Sequence, residues 1–164
     1  KKLQYFDQEL NKSYVHYVIE TSAGLDRLFM MVLSNSYKEQ EIVEEGQTKT
    51  RVYLDLHPAL APVKAAIFPL MKKDGLPEIA QKIYEDLKFD FNLIYEDSAS
   101  IGKRYARQDI IGTPFCIVVD HVTRDDQTVT IRDRNTMSQV RVRISELKNT
   151  ILEKVSSTTI LRQL

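Results

Sequence analysis

The stretch Val63-Lys64-Ala65-Ala66-Ile67-Phe68-Pro69-Leu70 decides the fold. It is a continuous apolar run apart from Lys64, and such a run reads as a strand buried in a parallel sheet. Downstream, helix and strand signals alternate. Leu76, Ile79, Ala80, Ile83 and Leu87 step by three and four, which predicts an amphipathic helix over 76–87, and Pro77 suits its first turn. Phe91 to Tyr95 reads as a strand, Ser100 to Gln108 as a short helix with Ser100 as a cap, and Phe115 to Val119 as a second apolar strand. Thr128 to Arg132 and Gln139 to Ile144 alternate polar and apolar residues, and Ser145 can cap a last helix running to about Val155. This order predicts an α/β layer built on a mixed sheet.

Upstream lies Leu56-His57-Pro58-Ala59-Leu60-Ala61-Pro62, whose two prolines oppose both helix and central strand. A boundary is placed there, giving regions 1–57 and 58–164. In the first, Tyr14 to Ile19 reads as a strand, followed by a glycine turn and a helix from about Ala23 to Tyr37. Its apolar residues Leu25, Leu28, Phe29, Val32 and Leu33 share one face, and Met30 and Met31 are expected to pack. The polar stretch Lys38 to Lys49 reads as a loop, and Arg51 to Leu56 as a short strand.

The chain has 164 residues, 43% hydrophobic and 28% charged, with 23 basic residues against 23 acidic ones. That excludes a disordered chain, a collagen and a coiled-coil rod, and suits about one domain. Region one holds 7 basic and 9 acidic residues and region two 16 and 14, too small an asymmetry to identify a polyanion partner by itself. No stretch approaches the roughly 20 apolar residues of a membrane span, and no secretory signal opens the chain. The single cysteine makes a cytoplasmic setting the default. The chain starts at Lys1, without Met, which suggests a piece of a longer protein. Three histidines and one cysteine, far apart, give no metal-ligand spacing.

Three constellations carry possible chemistry. In Val18-Ile19-Glu20-Thr21-Ser22-Ala23-Gly24-Leu25-Asp26-Arg27, Glu20 can pair with a cationic amine, and Arg27, in the first turn of a helix, can hold an anion. The alternative is a capped helix with a solvated arginine. The second constellation runs from Ser100 to Pro114 and places Lys103, Arg104 and Arg107 around Tyr105, which suits phosphates beside an unstacked base; a solvated helix face is the alternative. The third is the hairpin through Asn135-Thr136-Met137, where Arg132, Arg134, Arg141 and Arg143 line one polar face against Val129, Ile131, Val140 and Val142 on the other. A solubilising face is the competing account. On this reading, replacing Arg132 and Arg134 with alanine weakens nucleic-acid binding at little cost in stability. Cys116 reads as a small core residue, His57 and His121 lack partners for a triad, and the acidic run Glu39 to Glu45 reads as a solvated loop. No glycine-rich phosphate loop is present.

Taken in order, these segments resemble the C-terminal part of a class II glycyl-tRNA synthetase of the homodimeric type. Lys2-Leu3-Gln4-Tyr5-Phe6-Asp7 through Tyr17-Val18-Ile19-Glu20-Thr21-Ser22-Ala23-Gly24-Leu25-Asp26-Arg27 resembles the end of its catalytic domain, with motif 3. Ala61 to Ala66, Gly102 to Asp109, Gly112 to Phe115 and Thr130 to Met137 resemble its anticodon-binding domain. The resemblance implies an α/β fold with a mixed five-stranded sheet and three flanking helices, preceded by a strand–helix remnant of the catalytic domain. It implies that Glu20 and Ser22 help hold the amine of glycine and that Arg27 contacts ATP phosphate. The implied reaction of the full enzyme attaches glycine to its tRNA using ATP with magnesium, through an aminoacyl-adenylate. The implied partners are glycine-accepting tRNA and a second copy of the chain, with no membrane. Thr21 stands where the family often has proline, and Ile110 where related domains often have glutamate. Motifs 1 and 2 are missing, so the chain alone is expected to be inactive. Two readings compete: a non-catalytic accessory protein built on the same domain, and a ligase fragment for proline, threonine or histidine. Glu20-Thr21-Ser22 with Asp26-Arg27 favours glycine.

Overall fold

A computed structural model describes residues 3–44 and 46–162. Lys1, Lys2 and Glu45 lie outside the described residues, so one end of the motif-3-like stretch and one member of the acidic run are not placed. The chain forms two compact units, residues 1–31 and 32–164.

The first unit opens with an antiparallel hairpin, β1 (Tyr5–Asp7) and β2 (Lys12–Tyr14), in which Tyr5 opposes Tyr14 and their rings meet edge to face at 5.8 Å. The strand expected over Tyr14 to Ile19 is not formed: β2 stops at Tyr14, and residues 15–24 have no regular structure. A lone extended segment leaves its backbone groups unpaired, and none of the described strands pairs with this one. Helix α1 (Leu25–Ser36) begins where Leu28 N–H donates to Gly24 C=O. Its apolar face is a second correction. Leu25, Leu28, Phe29, Met30 and Met31 are all exposed, because nothing among the described residues covers them.

In the second unit, the expected loop after α1 is a hairpin. Strands β3 (Tyr37–Glu44) and β4 (Gln47–Leu54) pair antiparallel in full register, turning through Gly46 at φ 76°. Then come β5 (Ala65–Pro69), α2 (Leu76–Leu87), β6 (Leu93–Tyr95), α3 (Ile101–Ile111), β7 (Phe115–Val119), the short α4 (His121–Asp126), β8 (Thr128–Asp133) and β9 (Gln139–Arg143). A 3-10 turn over Ile144–Glu146 leads into α5 (Leu147–Val155), and α6 (Ser157–Leu161) follows. Ser145 lies inside that turn, so it does not cap the last helix.

The sheet order is β6-β5-β7-β8-β9: the first three strands are parallel, the last two antiparallel. The mixed five-stranded sheet is the expected one. Both central strands are buried along their whole length. Ala65, Ile67, Ile117, Val119, Val129 and Ile131 face α2 and α5 on one side, burial worth about 1.5–3 kcal/mol per large side chain. Ala66, Phe68, Cys116 and Val118 face α3 on the other.

Candidate nucleic-acid interface

Helix α3 begins after Ser100, which makes no side-chain capping bond, and ends at Gly112 in the left-handed conformation. It sorts the cations that the sequence groups together. Arg104, Gln108 and Asp109 turn inward and are buried, Tyr105 is half-buried, and Lys103 and Arg107 face solvent.

Arg104 is not available to a ligand. Its guanidinium donates to the carbonyl oxygens of Pro69 at 2.6 Å and Ala99 at 3.2 Å, and it lies over the Phe68 ring. It thereby satisfies the end of β5, and burial lowers its pKa. Arg107 pairs with Glu96 and touches Ser98. Tyr105 stacks edge to face on Phe68, and Arg132 sits 4.5 Å from its ring centroid. Burial pushes the Tyr105 hydroxyl up to about 12.

Beneath Tyr105, Asp109 collects two arginines from distant strands. Arg132, in β8, donates Nη1 to Oδ1 at 3.1 Å and Nη2 to Oδ2 at 3.3 Å. Arg51, in β4, donates Nε to Oδ2 at 2.8 Å and Nη1 to Gln40 at 3.1 Å. All three side chains are buried, so one carboxylate faces two guanidiniums. Sequence reading missed Arg51 because its partner lies 58 residues away.

The expected four-arginine face is corrected at Arg132 and Arg134. Arg134 falls one residue past β8 and is 2% exposed. It donates to the Gly112 carbonyl at 2.6 Å, the Leu56 carbonyl at 2.7 Å, Asp55 at 3.2 Å and Asn135 at 2.8 Å. Burial lowers its pKa. Both arginines are buried and bonded to groups from other elements, so their replacement is now expected to cost stability.

The register sets what remains on the hairpin's polar face: Arg132 opposes Gln139, Thr130 opposes Arg141, and Thr128 opposes Arg143. Arg141 makes a forked pair with Asp120, Nη1 to Oδ2 at 2.8 Å and Nη2 to Oδ1 at 2.7 Å. Those bonds hold the Asp120 carboxyl down at about 2. Arg143 is exposed. The β8–β9 turn is fixed by Asp133, whose Oδ1 accepts from the N–H of Asn135 and Thr136 and from the Thr136 hydroxyl, and Met137 closes it at φ 57°.

Between β4, α3 and this turn runs a groove of about 580 Å³, lined among others by Arg51, Tyr105, Asp109, Arg132, Met137 and Gln139. A polar lining with two excess positive charges (Lys49, Arg51 and Arg132 against Asp109), a half-buried aromatic ring and an exposed amide can receive an unstacked base with its phosphate.

In the first unit, Glu20 and Ser22 lie in the irregular segment and Arg27 in the first turn of α1, all exposed. Among the described residues none of the three side chains makes a hydrogen bond or ion pair, so the guanidinium of Arg27 is chemically able to receive a phosphate. No group of three or more histidine, cysteine, aspartate or glutamate side chains among the described residues could hold a metal ion. Nor is any described helix long and apolar enough to cross a membrane. Cys116 is buried in β7, which pushes its thiol up to about 12. His57 accepts from the Ala59 N–H, and His121 lies 3.8 Å from Asp74.

Three comparisons bear on this arrangement. The glycine–tRNA ligase of Rhodopirellula baltica is 47% identical over 160 residues, covering 97% of this chain and 30% of the relative. That of Borreliella burgdorferi is 49% identical over 155 residues, covering 94% of the chain and 34% of the relative. The chain thus spans about a third of the length of these relatives. A solved prolyl-tRNA synthetase from Cryptosporidium parvum superposes with a TM-score of 0.56 at 22% identity, over 67% of this chain and 23% of that one, which shows a shared fold. The family model described as "Anticodon binding domain" matches residues 64–154, β5 through most of α5. More than half of the sequence lies in that match, and the chain belongs to the anticodon-binding-domain family.

Proposed function

We propose that the chain is part of a glycine–tRNA ligase and that its sheet unit binds the anticodon region of glycine-accepting tRNA. The observation that carries this reading is the identity of 47–49% to glycine–tRNA ligases over nearly the whole chain, motif-3-like turn included. The full protein attaches glycine to its tRNA with ATP and magnesium, in the cytoplasm, as a homodimer. Residues 1–57 belong to its catalytic part and 58–164 to the anticodon reader. Glu20 and Ser22 hold the glycine amine, and Arg27 an ATP phosphate. The magnesium expected with ATP is not assigned to residues of this chain, and the chain by itself forms no aminoacyl-adenylate.

The anticodon loop approaches the groove, with Tyr105 as the aromatic surface and Lys103, Arg107, Arg141 and Arg143 as the cations at its margins. Arg104, Arg132 and Arg134 act from below, fixing the walls. Titrating the chain with glycine-accepting tRNA and with an unrelated tRNA across a salt series tests this. Preference for the first that survives moderate salt is the expected result. Equal, salt-labile binding to both overturns the reading.

A further inference from the structure

The groove's charged groups are poorly suited to reading a base. Both Nη atoms of Arg132 are committed to Asp109, all three nitrogens of Arg51 to Asp109, Gln40 and the Arg134 carbonyl, and both Asp109 oxygens are occupied. Gln139 is different. It begins β9, is exposed, lines the groove, and its side-chain amide makes no hydrogen bond among the described residues. Its position is fixed by pairing with Arg132 across the ladder and by the Asp133-braced turn before it. An amide presents one donor and one acceptor in a plane, the pattern that matches a base edge.

We propose that Gln139 is a specificity-determining residue of the groove. Its Oε1 accepts from the exocyclic amine of an anticodon cytosine, and its Nε2 donates to the ring nitrogen beside it. Glycine codons begin with two guanines, so both invariant anticodon bases are cytosines. The inference rests on the anticodon reading above and deepens it.

The test replaces each of those cytosines in turn by pyrimidin-2-one, which lacks the exocyclic amine, and measures binding of the wild-type chain and of Gln139→Ala. The expected result is a loss of about 5- to 100-fold at one position for wild type, and little or no further loss in Gln139→Ala. Gln139→Glu, which has no donor, weakens binding of the unmodified tRNA, and in the uncharged Gln139→Ala the slope of affinity against salt stays unchanged. If Gln139→Ala loses as much as wild type on the modified tRNA, Gln139 is not the reader, although the anticodon reading stands. If the wild-type chain binds both tRNAs and an unrelated tRNA equally, the anticodon reading fails and this assignment with it.

Discussion

Arg51 and Asp109 lie 58 residues apart in the chain and 2.8 Å apart in the fold, both almost sealed from water. That pair, shared with Arg132, fastens the β3–β4 hairpin to α3 and to the antiparallel half of the sheet. Removing the carboxylate leaves two guanidiniums facing each other in the interior. Asp109→Asn is expected to cost about 3–5 kcal/mol, and thermal unfolding followed by circular dichroism measures it. A midpoint within a degree or two of wild type contradicts the buried-hub account.

Arg132→Ala with Arg134→Ala should lower the unfolding midpoint severely, since Asp109 Oδ1 and the Gly112 and Leu56 carbonyls lose their arginine donors inside the molecule and Asp109 Oδ2 loses one of its two. Lys103→Ala with Arg143→Ala should leave the midpoint essentially unchanged, since both side chains face solvent. If they meet phosphates, that second pair reduces the slope of log affinity against log salt by about one per residue. Parallel melts and tRNA titrations separate the two outcomes.

Gly112 has φ 81°, and a methyl group built on it would stand 2.8 Å from Leu56 Cδ1 and 3.2 Å from the Leu54 carbonyl oxygen. Gly112→Ala is therefore expected to destabilise by about 1–3 kcal/mol. Leu56→Ala removes one of the two obstacles, so the double variant should lose less than the two single losses combined. Urea midpoints decide, and strict additivity would show that the approach to Leu56 costs nothing.

Arg141 should be visible through the titration of Asp120. The folded carboxyl is depressed to about 2, below the ordinary value of 3.8. Its stabilising effect is therefore complete above the ordinary value and disappears as pH falls from about 4 through 2. In Arg141→Ala the Asp120 carbon resonance should titrate closer to 3.8, and stability should fall less steeply in acid. A midpoint still near 2 would assign the depression to the Thr123 bonds instead.

Cys116 combines burial with a thiol pushed up to about 12. At pH 8 the folded chain should react with a thiol reagent only as fast as it unfolds, and at once in denaturant. Prompt labelling of the native chain would place Cys116 outside the core.

The buried half of the fold could be read from the sequence because it is local: apolar runs at Ala65–Pro69 and Phe115–Val119 and a stepping pattern in α2 need no distant partner to declare themselves. The β3–β4 ribbon could be read only at its end, where Arg51 to Leu54 reads as strand; the hairpin itself could not. Its residues are mostly exposed on both faces, so no period-two apolar signal marks it, and only Gly46 hints at its turn. Helix α4 is six residues long, too short for a helical period, and its cap pairs Asp120 with Thr123 rather than with a glutamate. In the candidate site, sequence placed Lys103, Arg107, Arg141 and Arg143 at the surface, where they are. It misplaced Arg104, Arg132 and Arg134 because arginine reads as solvated until carbonyls and carboxylates from 5 to 79 residues away are known to meet it.

Burying those arginines also sets how the molecule meets a polyanion. Once Arg104, Arg132, Arg134 and Asp109 are withdrawn, residues 58–164 show solvent 13 basic and 13 acidic side chains. A neutral surface gathers no ligand from a distance, so on the proposed reading encounter with RNA proceeds at the unsteered rate of about 10⁵–10⁶ M⁻¹s⁻¹. Selectivity then has to be exercised after contact, in how long a bound tRNA stays.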